Sequence, residues 1–72
     1  MNHAQAATIT VNGEARPLGA MATVADLLCA IGLDGRKVAV ERNEAIVPRS
    51  AYAATRLEPG DRLEIVHFIG GG

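Results

Sequence analysis

Aromatic side chains are scarce in this 72-residue chain: Tyr52 and Phe68 are the whole set. That excludes a platform on which successive bases stack. Cysteine is scarcer still. Cys29 stands alone, so no internal disulfide can form, as expected of a chain kept in a reducing compartment, with the cytoplasm as default. Neither sign of charge dominates, because seven Lys and Arg against eight Asp and Glu leave a net charge of −1. The basic residues are scattered rather than gathered into the face that phosphate neutralisation needs, so nucleic acid is not an expected partner. No apolar run approaches the ~20 residues of a membrane span. The stretch from Met1 to Ala7 lacks the charged and apolar regions of a signal peptide, so no membrane partner is expected either.

Length itself is limiting. A chain of this size makes one domain around one small core and buries roughly 60% of its unfolded surface. A pocket that orients a substrate and excludes water is hard to build on that scale, so the expectation is a protein that is not itself an enzyme. The apolar fraction of 49% is ordinary for a folded domain and argues against disorder.

Thr8-Ile9-Thr10-Val11 alternates polar and apolar, the period of a half-buried strand. Asn12-Gly13 follows, a strong hairpin signal because both residues tolerate φ > 0. The return strand spans Glu14 to Leu18, with Pro17 confining it to a sheet edge. Thr23-Val24-Ala25-Asp26 has the form of a capping box. Val24, Leu27, Leu28 and Ile31 then form one apolar stripe of a helix, closed by a left-handed cap at Gly32 with Leu33 folding back. Lys37 to Glu41 reads as a strand with Val38 and Val40 inward, Asn43 as a turn, and Ala45-Ile46-Val47 as a short strand stopped by Pro48. A helical turn is expected around Ser50–Ala53, with Tyr52 covering the core. Glu58-Pro59-Gly60-Asp61 fits a type II turn that launches a last strand, Arg62 to Phe68. The order β-β-α-β-β-β predicts an α+β roll of the β-grasp type: a mixed sheet of four to five strands with one main helix packed across it.

That last strand runs directly into Gly70-Gly71-Gly72. Glycines have no Cβ, so such a tail can thread a channel too narrow for other residues, and a terminal carboxyl group is a handle for activation. The organisation expected is an N-terminal extension (1–7), a β-grasp domain (8–69) and a glycine tail (70–72).

Several segments carry a family resemblance. Val40-Glu41-Arg42-Asn43 with Ile46-Val47-Pro48-Arg49, the turn Pro59-Gly60-Asp61, and the ending Leu63-Glu64-Ile65-Val66-His67-Phe68-Ile69-Gly70-Gly71-Gly72 are similar to the ThiS-type sulfur carriers of thiamine (thiazole) biosynthesis, a ubiquitin-like family. The resemblance implies that a ThiF-type adenylating enzyme spends ATP on the Gly72 carboxylate, with Gly70 and Gly71 threading the partner's channel. A cysteine desulfurase or another persulfide donor then supplies sulfur, and the resulting thiocarboxylate is consumed by a ThiG-type thiazole synthase. The carrier itself would bind no cofactor, ATP belonging to the activating partner, and would contribute no catalytic side chain. The extension 1–7 exceeds the compact family length and is assigned no role.

Strand parity places Leu63 and Ile65 inward and Glu64, Val66 and Phe68 outward. The outward three form a candidate docking patch beside the tail; the competing reading packs Val66 and Phe68 beneath a loop. Arg42, Arg49 and Arg62 read as surface arginines. Cys29, beside the helical stripe, is expected as a small buried hydrophobe, and His67, with the parity of Ile65, is expected to pack at the strand end. His3, Cys29 and His67 have no metal-ligand spacing, and nothing in the sequence unites Ser50, Asp26 and His67 as a triad. Three alternatives remain open: the small subunit of a molybdopterin synthase, a ubiquitin-like modifier, and a β-grasp interaction module with inert glycines.

Overall fold

The computed structural model describes residues 7–68. The sheet begins with β1 (Thr8–Val11) and β2 (Glu14–Pro17), an antiparallel hairpin turned by Asn12 at φ 51 and Gly13 at φ 85. Both turn residues occupy the left-handed region, which gives the turn the twist that the two strands need. Helix α1 (Val24–Ala30) follows. Thr23 accepts the Asp26 N–H at 3.2 Å while the Asp26 carboxylate accepts the N–H groups of Thr23 and Ala22. The capping box thus satisfies donors that the first turn leaves open, worth about 1 kcal/mol. At the other end Gly32, at φ 77, lets its N–H reach Cys29 O and the Leu33 N–H reach Leu28 O, the paired bonds of a Schellman cap.

A short 3-10 turn, Gly35–Lys37, leads into β3 (Val38–Arg42), which pairs antiparallel with β4 (Ala45–Val47). A second 3-10 turn, Arg49–Ala51, brings Tyr52 into the core, where its hydroxyl donates to Val38 O at 3.3 Å. Gly35 lies under the Tyr52 ring so closely that an added Cβ would stand 3.3 Å from it. The chain then turns at Gly60, φ 85, with the Asp61 N–H donating to Glu58 O, and enters β5 (Arg62–His67).

The sheet order is β2-β1-β5-β3-β4. The last strand is central, parallel to β1 and antiparallel to β3, and Pro17 sits on an edge strand as expected. One face carries α1: Ile9, Val24, Leu27, Val40 and Leu63 are almost wholly buried between helix and sheet. This is the expected mixed roll with one helix across it. Small differences fall at element ends. The second strand stops at Pro17, the third starts at Val38 after the 3-10 turn, and the last ends at His67.

Candidate functional site: the outer face of the last strand

Alternation along β5 sends its apolar residues to opposite fates. Leu63 and Ile65 point into the core, at 1% and 8% exposure, whereas Val66 and Phe68 stand 62% and 56% exposed on the outer face. Among the described residues no loop covers them, against the competing reading. Register builds the rest of the surface: Val66 lies opposite Ala39 on β3, Glu64 opposite Glu41, and Glu41 opposite Ile46 on β4. Among the described residues Ile46 is the most exposed large apolar one, at 77%. Between Phe68 and the β4 edge runs a groove of about 400 Å³, lined by Ala39, Ile46, Pro48 and Phe68 and bordered by Arg36 and Arg49. Glu41 and Glu64 face each other as a like-charged cross-strand pair, an arrangement that costs stability when nothing neutral or basic intervenes.

The head of β5 is fastened by a buried carboxylate. Asp61, 5% exposed, accepts hydrogen bonds from Arg42 Nε at 2.7 Å, Asn43 Nδ2 at 3.0 Å and the Glu58 N–H at 2.8 Å. Burial pushes its pKa up, but the hydrogen bonds from Asn43, Arg42 and Glu58, with the positive charge of Arg42, prevail and hold it below the ordinary aspartate value. Arg42 is therefore more than a surface arginine, because it ties β3 to the start of β5. Arg62 makes only a long, exposed contact of 3.8 Å with Glu44, worth little. Asp34, which accepts Arg36 Nε, Nη2 and N–H, is held down to about 2, chiefly by the Arg36 side chain.

The expected reactive residues Gly70, Gly71 and Gly72 lie outside the described residues, as do residues 1–6 of the extension 1–7. Two expectations are corrected. Cys29 is exposed, because the short helix buries only the stripe through Val24, Leu27 and Leu28, and Cys29 lies off it. His67 is also exposed: it has inward parity, but among the described residues no element covers the end of β5. Among the described residues no three His, Cys, Asp or Glu gather as a metal site. The Asp26 carboxylate is occupied by the helix cap. No helix among the described residues is long and apolar enough to cross a membrane. Three contributors escaped the sequence reading. Sequence pattern puts Ile46 on a strand without giving it a face, marks Asp61 as a turn residue, and marks Asn12 as a hairpin residue with no sign of its amide bonds to Ile65. The adjacency of Ile46 to Val47, which had to point inward, was the available clue for the first.

A β-grasp sheet whose central strand ends beside an exposed apolar face defines the ubiquitin-like class of small domains. Within that class, the model of the ThiS family matches residues 9–72, and the chain belongs to the ThiS family. It is 44% identical over 50 residues to "Sulfur carrier protein ThiS" of Bacillus subtilis, covering 69% of this chain and 76% of that one. It is 56% identical over 64 residues to a "Thiazole synthase" of Paramagnetospirillum magneticum, covering 89% of this chain but 20% of that protein. The chain thus spans about a fifth of that relative's length. Among solved structures, the thiamine biosynthesis protein ThiS of Geobacter metallireducens superposes with a TM-score of 0.76 at 34% identity, covering 90% of this chain and 99% of that one.

Proposed function

We propose that this chain is a sulfur carrier of thiamine biosynthesis, acting in the cytoplasm as a protein co-substrate, with Gly72 as its reacting residue. The observation that carries the reading is that the family match runs through Gly72, on a chain whose central strand ends at His67, three residues before Gly70 in sequence, with Val66 and Phe68 exposed. A carboxylate is a poor electrophile, since its charge repels nucleophiles and oxide is a poor leaving group. A ThiF-type enzyme solves both problems by joining the Gly72 carboxylate to AMP, with pyrophosphate released from ATP. A persulfide sulfur from a cysteine desulfurase or similar donor then attacks the acyl carbon and expels AMP, giving an acyl disulfide. Two electrons from a thiol reductant cleave the S–S bond and leave a thiocarboxylate. The acceptor is a ThiG-type thiazole synthase, a partner supported by the thiazole synthase name of a relative that contains a segment like this chain.

The carrier's own residues bind and present. Val66 and Phe68, with Ile46 alongside, supply the apolar surface that a partner buries. Glu64, opposite Glu41, invites a basic group from the partner, which would relieve their mutual repulsion. Gly70 and Gly71 pass through the channel that leads to ATP. Purified carrier incubated with the adenylating enzyme and ATP should release pyrophosphate in proportion to carrier, and Gly71→Val should abolish this while the fold survives. Pyrophosphate release that ignores the carrier would refute the reading, and full activity of a folded Gly71→Val variant would refute the threading role of the tail.

A further inference from the structure

Both hairpin turns grip β5, and each does so through an asparagine in the left-handed region, Asn12 at φ 51 and Asn43 at φ 53. Each donates its backbone N–H to the strand, Asn12 to Leu63 O at 2.9 Å and Asn43 to Arg62 O at 2.7 Å. Their side chains then part. Asn43 works at the start of β5, where Oδ1 accepts the Arg62 N–H at 2.9 Å and Nδ2 donates to Asp61. Asn12 reaches toward the strand's far end, where Oδ1 accepts the Ile65 N–H at 2.8 Å and Nδ2 donates to Ile65 O at 3.1 Å. A neighbouring strand would normally supply that donor and acceptor from its backbone. β1 has none to give, because its ladder with β5 ends at Val11 opposite Leu63 and the chain turns away. A side-chain amide presents the same donor and acceptor as a peptide group, so Asn12 adds one rung to the β1 side of the ladder.

We infer that Asn12 is a positioning residue for the carrier tail: its clasp on Ile65 fixes the direction in which β5 delivers residues 69–72 to a partner. The inference rests on the carrier reading above, since a tail that reacts with nothing has no direction to keep. Past Leu63, β5 is held from the β3 side as far as the Phe68 N–H, which donates to Lys37 O at 2.8 Å. On the β1 side, among the described residues, the hold past Leu63 is the Asn12 amide. Remove it and, among the described residues, the strand past Leu63 is bonded on one edge only and can swing about that edge. The tail begins where the strand ends in sequence, so a swung strand moves the point from which the tail must reach the reacting centre. The docking face is untouched, so body binding persists while fewer bound complexes hold the carboxylate in place.

The test compares Asn12→Gly with Asn43→Gly in the full chain. Glycine accepts a positive φ without strain, so each substitution removes the side-chain bonds and keeps the turn. Pyrophosphate release by the ThiF-type enzyme with ATP should show kcat reduced about fivefold for Asn12→Gly, the scale of losing two modest hydrogen bonds, with KM for the carrier unchanged. Asn43→Gly, once folded, should keep the wild-type kcat. In the free protein, amide hydrogen exchange at Ile65, whose N–H loses its acceptor, should quicken for Asn12→Gly and not for Asn43→Gly. A wild-type kcat for folded Asn12→Gly, or an equal fall for both variants, overturns the positioning role. A wild-type chain inert toward the enzyme refutes the carrier reading instead.

Discussion

Leu63 and Val66 sit three residues apart on one strand, both apolar, and the fold uses them oppositely. Leu63 is 1% exposed between sheet and helix, while Val66 is 62% exposed on the other face beside Phe68. The inward residues stabilise the domain, because removing their surface from water is the largest favourable contribution to folding. The outward ones contribute little of that kind and keep their apolar surface in water. A chain this small has few apolar side chains to spare. Ile46 on β4 and Val66 and Phe68 at the end of β5 are left exposed on the two sides of β3, and the partner surface proposed above rests on that exposure.

Substitutions should separate the two faces. The largest stability effect belongs to Leu63→Ala, expected to cost about 2–5 kcal/mol as a cavity at a fully buried site, read by urea denaturation. A loss under half a kcal/mol would mean that the core does not depend on β5 as described. Next comes Asp61→Ala, which leaves the Asn43 amide, the Glu58 N–H and Arg42 without their acceptor and should cost about 1–3 kcal/mol. Its pH signature has a definite sign. The folded pKa of Asp61 is depressed, so its contribution is fully present above the unfolded aspartate value of about 3.9 and is lost as pH falls through the lower folded value. Wild-type stability should therefore decline below about pH 4, and the decline should be shallower in Asp61→Ala. The smallest stability effect belongs to Val66→Ser and Phe68→Ser, within about 0.5 kcal/mol of wild type. Each should nonetheless weaken binding to the adenylating enzyme by about tenfold, the scale of losing one apolar anchor. Unchanged affinity in both would return the outer face to ordinary solvent-exposed surface.

Local signals made most of the fold legible. Asn12-Gly13, the Thr23–Asp26 capping box, Gly32 and Pro59-Gly60 each specify a conformation within a few residues, and the structure adopts all of them. Parity along β5 was equally local, so the exposure of Val66 and Phe68 followed once Leu63 and Ile65 were placed inward. What escaped was non-local. Asp61 acquires its partners from Arg42 and Asn43, 19 and 18 residues away, and Asn12 meets Ile65 across 53 residues. No spacing rule reaches that far. The two misplacements, Cys29 and His67, share a cause: each was judged by its neighbours in sequence, whereas burial depended on whether another element lay above it.

In the proposed function the folded face and the glycine end serve one purpose, presenting a carboxyl group for sulfur loading. Intact mass of the protein isolated from its own cells tests it most directly, against a copy lacking Gly71-Gly72. A sulfur carrier should show a species in which one oxygen is replaced by sulfur, absent from the shortened copy. If only the unmodified mass appears while an active adenylating enzyme and a sulfur donor are present, the chain is not a sulfur carrier.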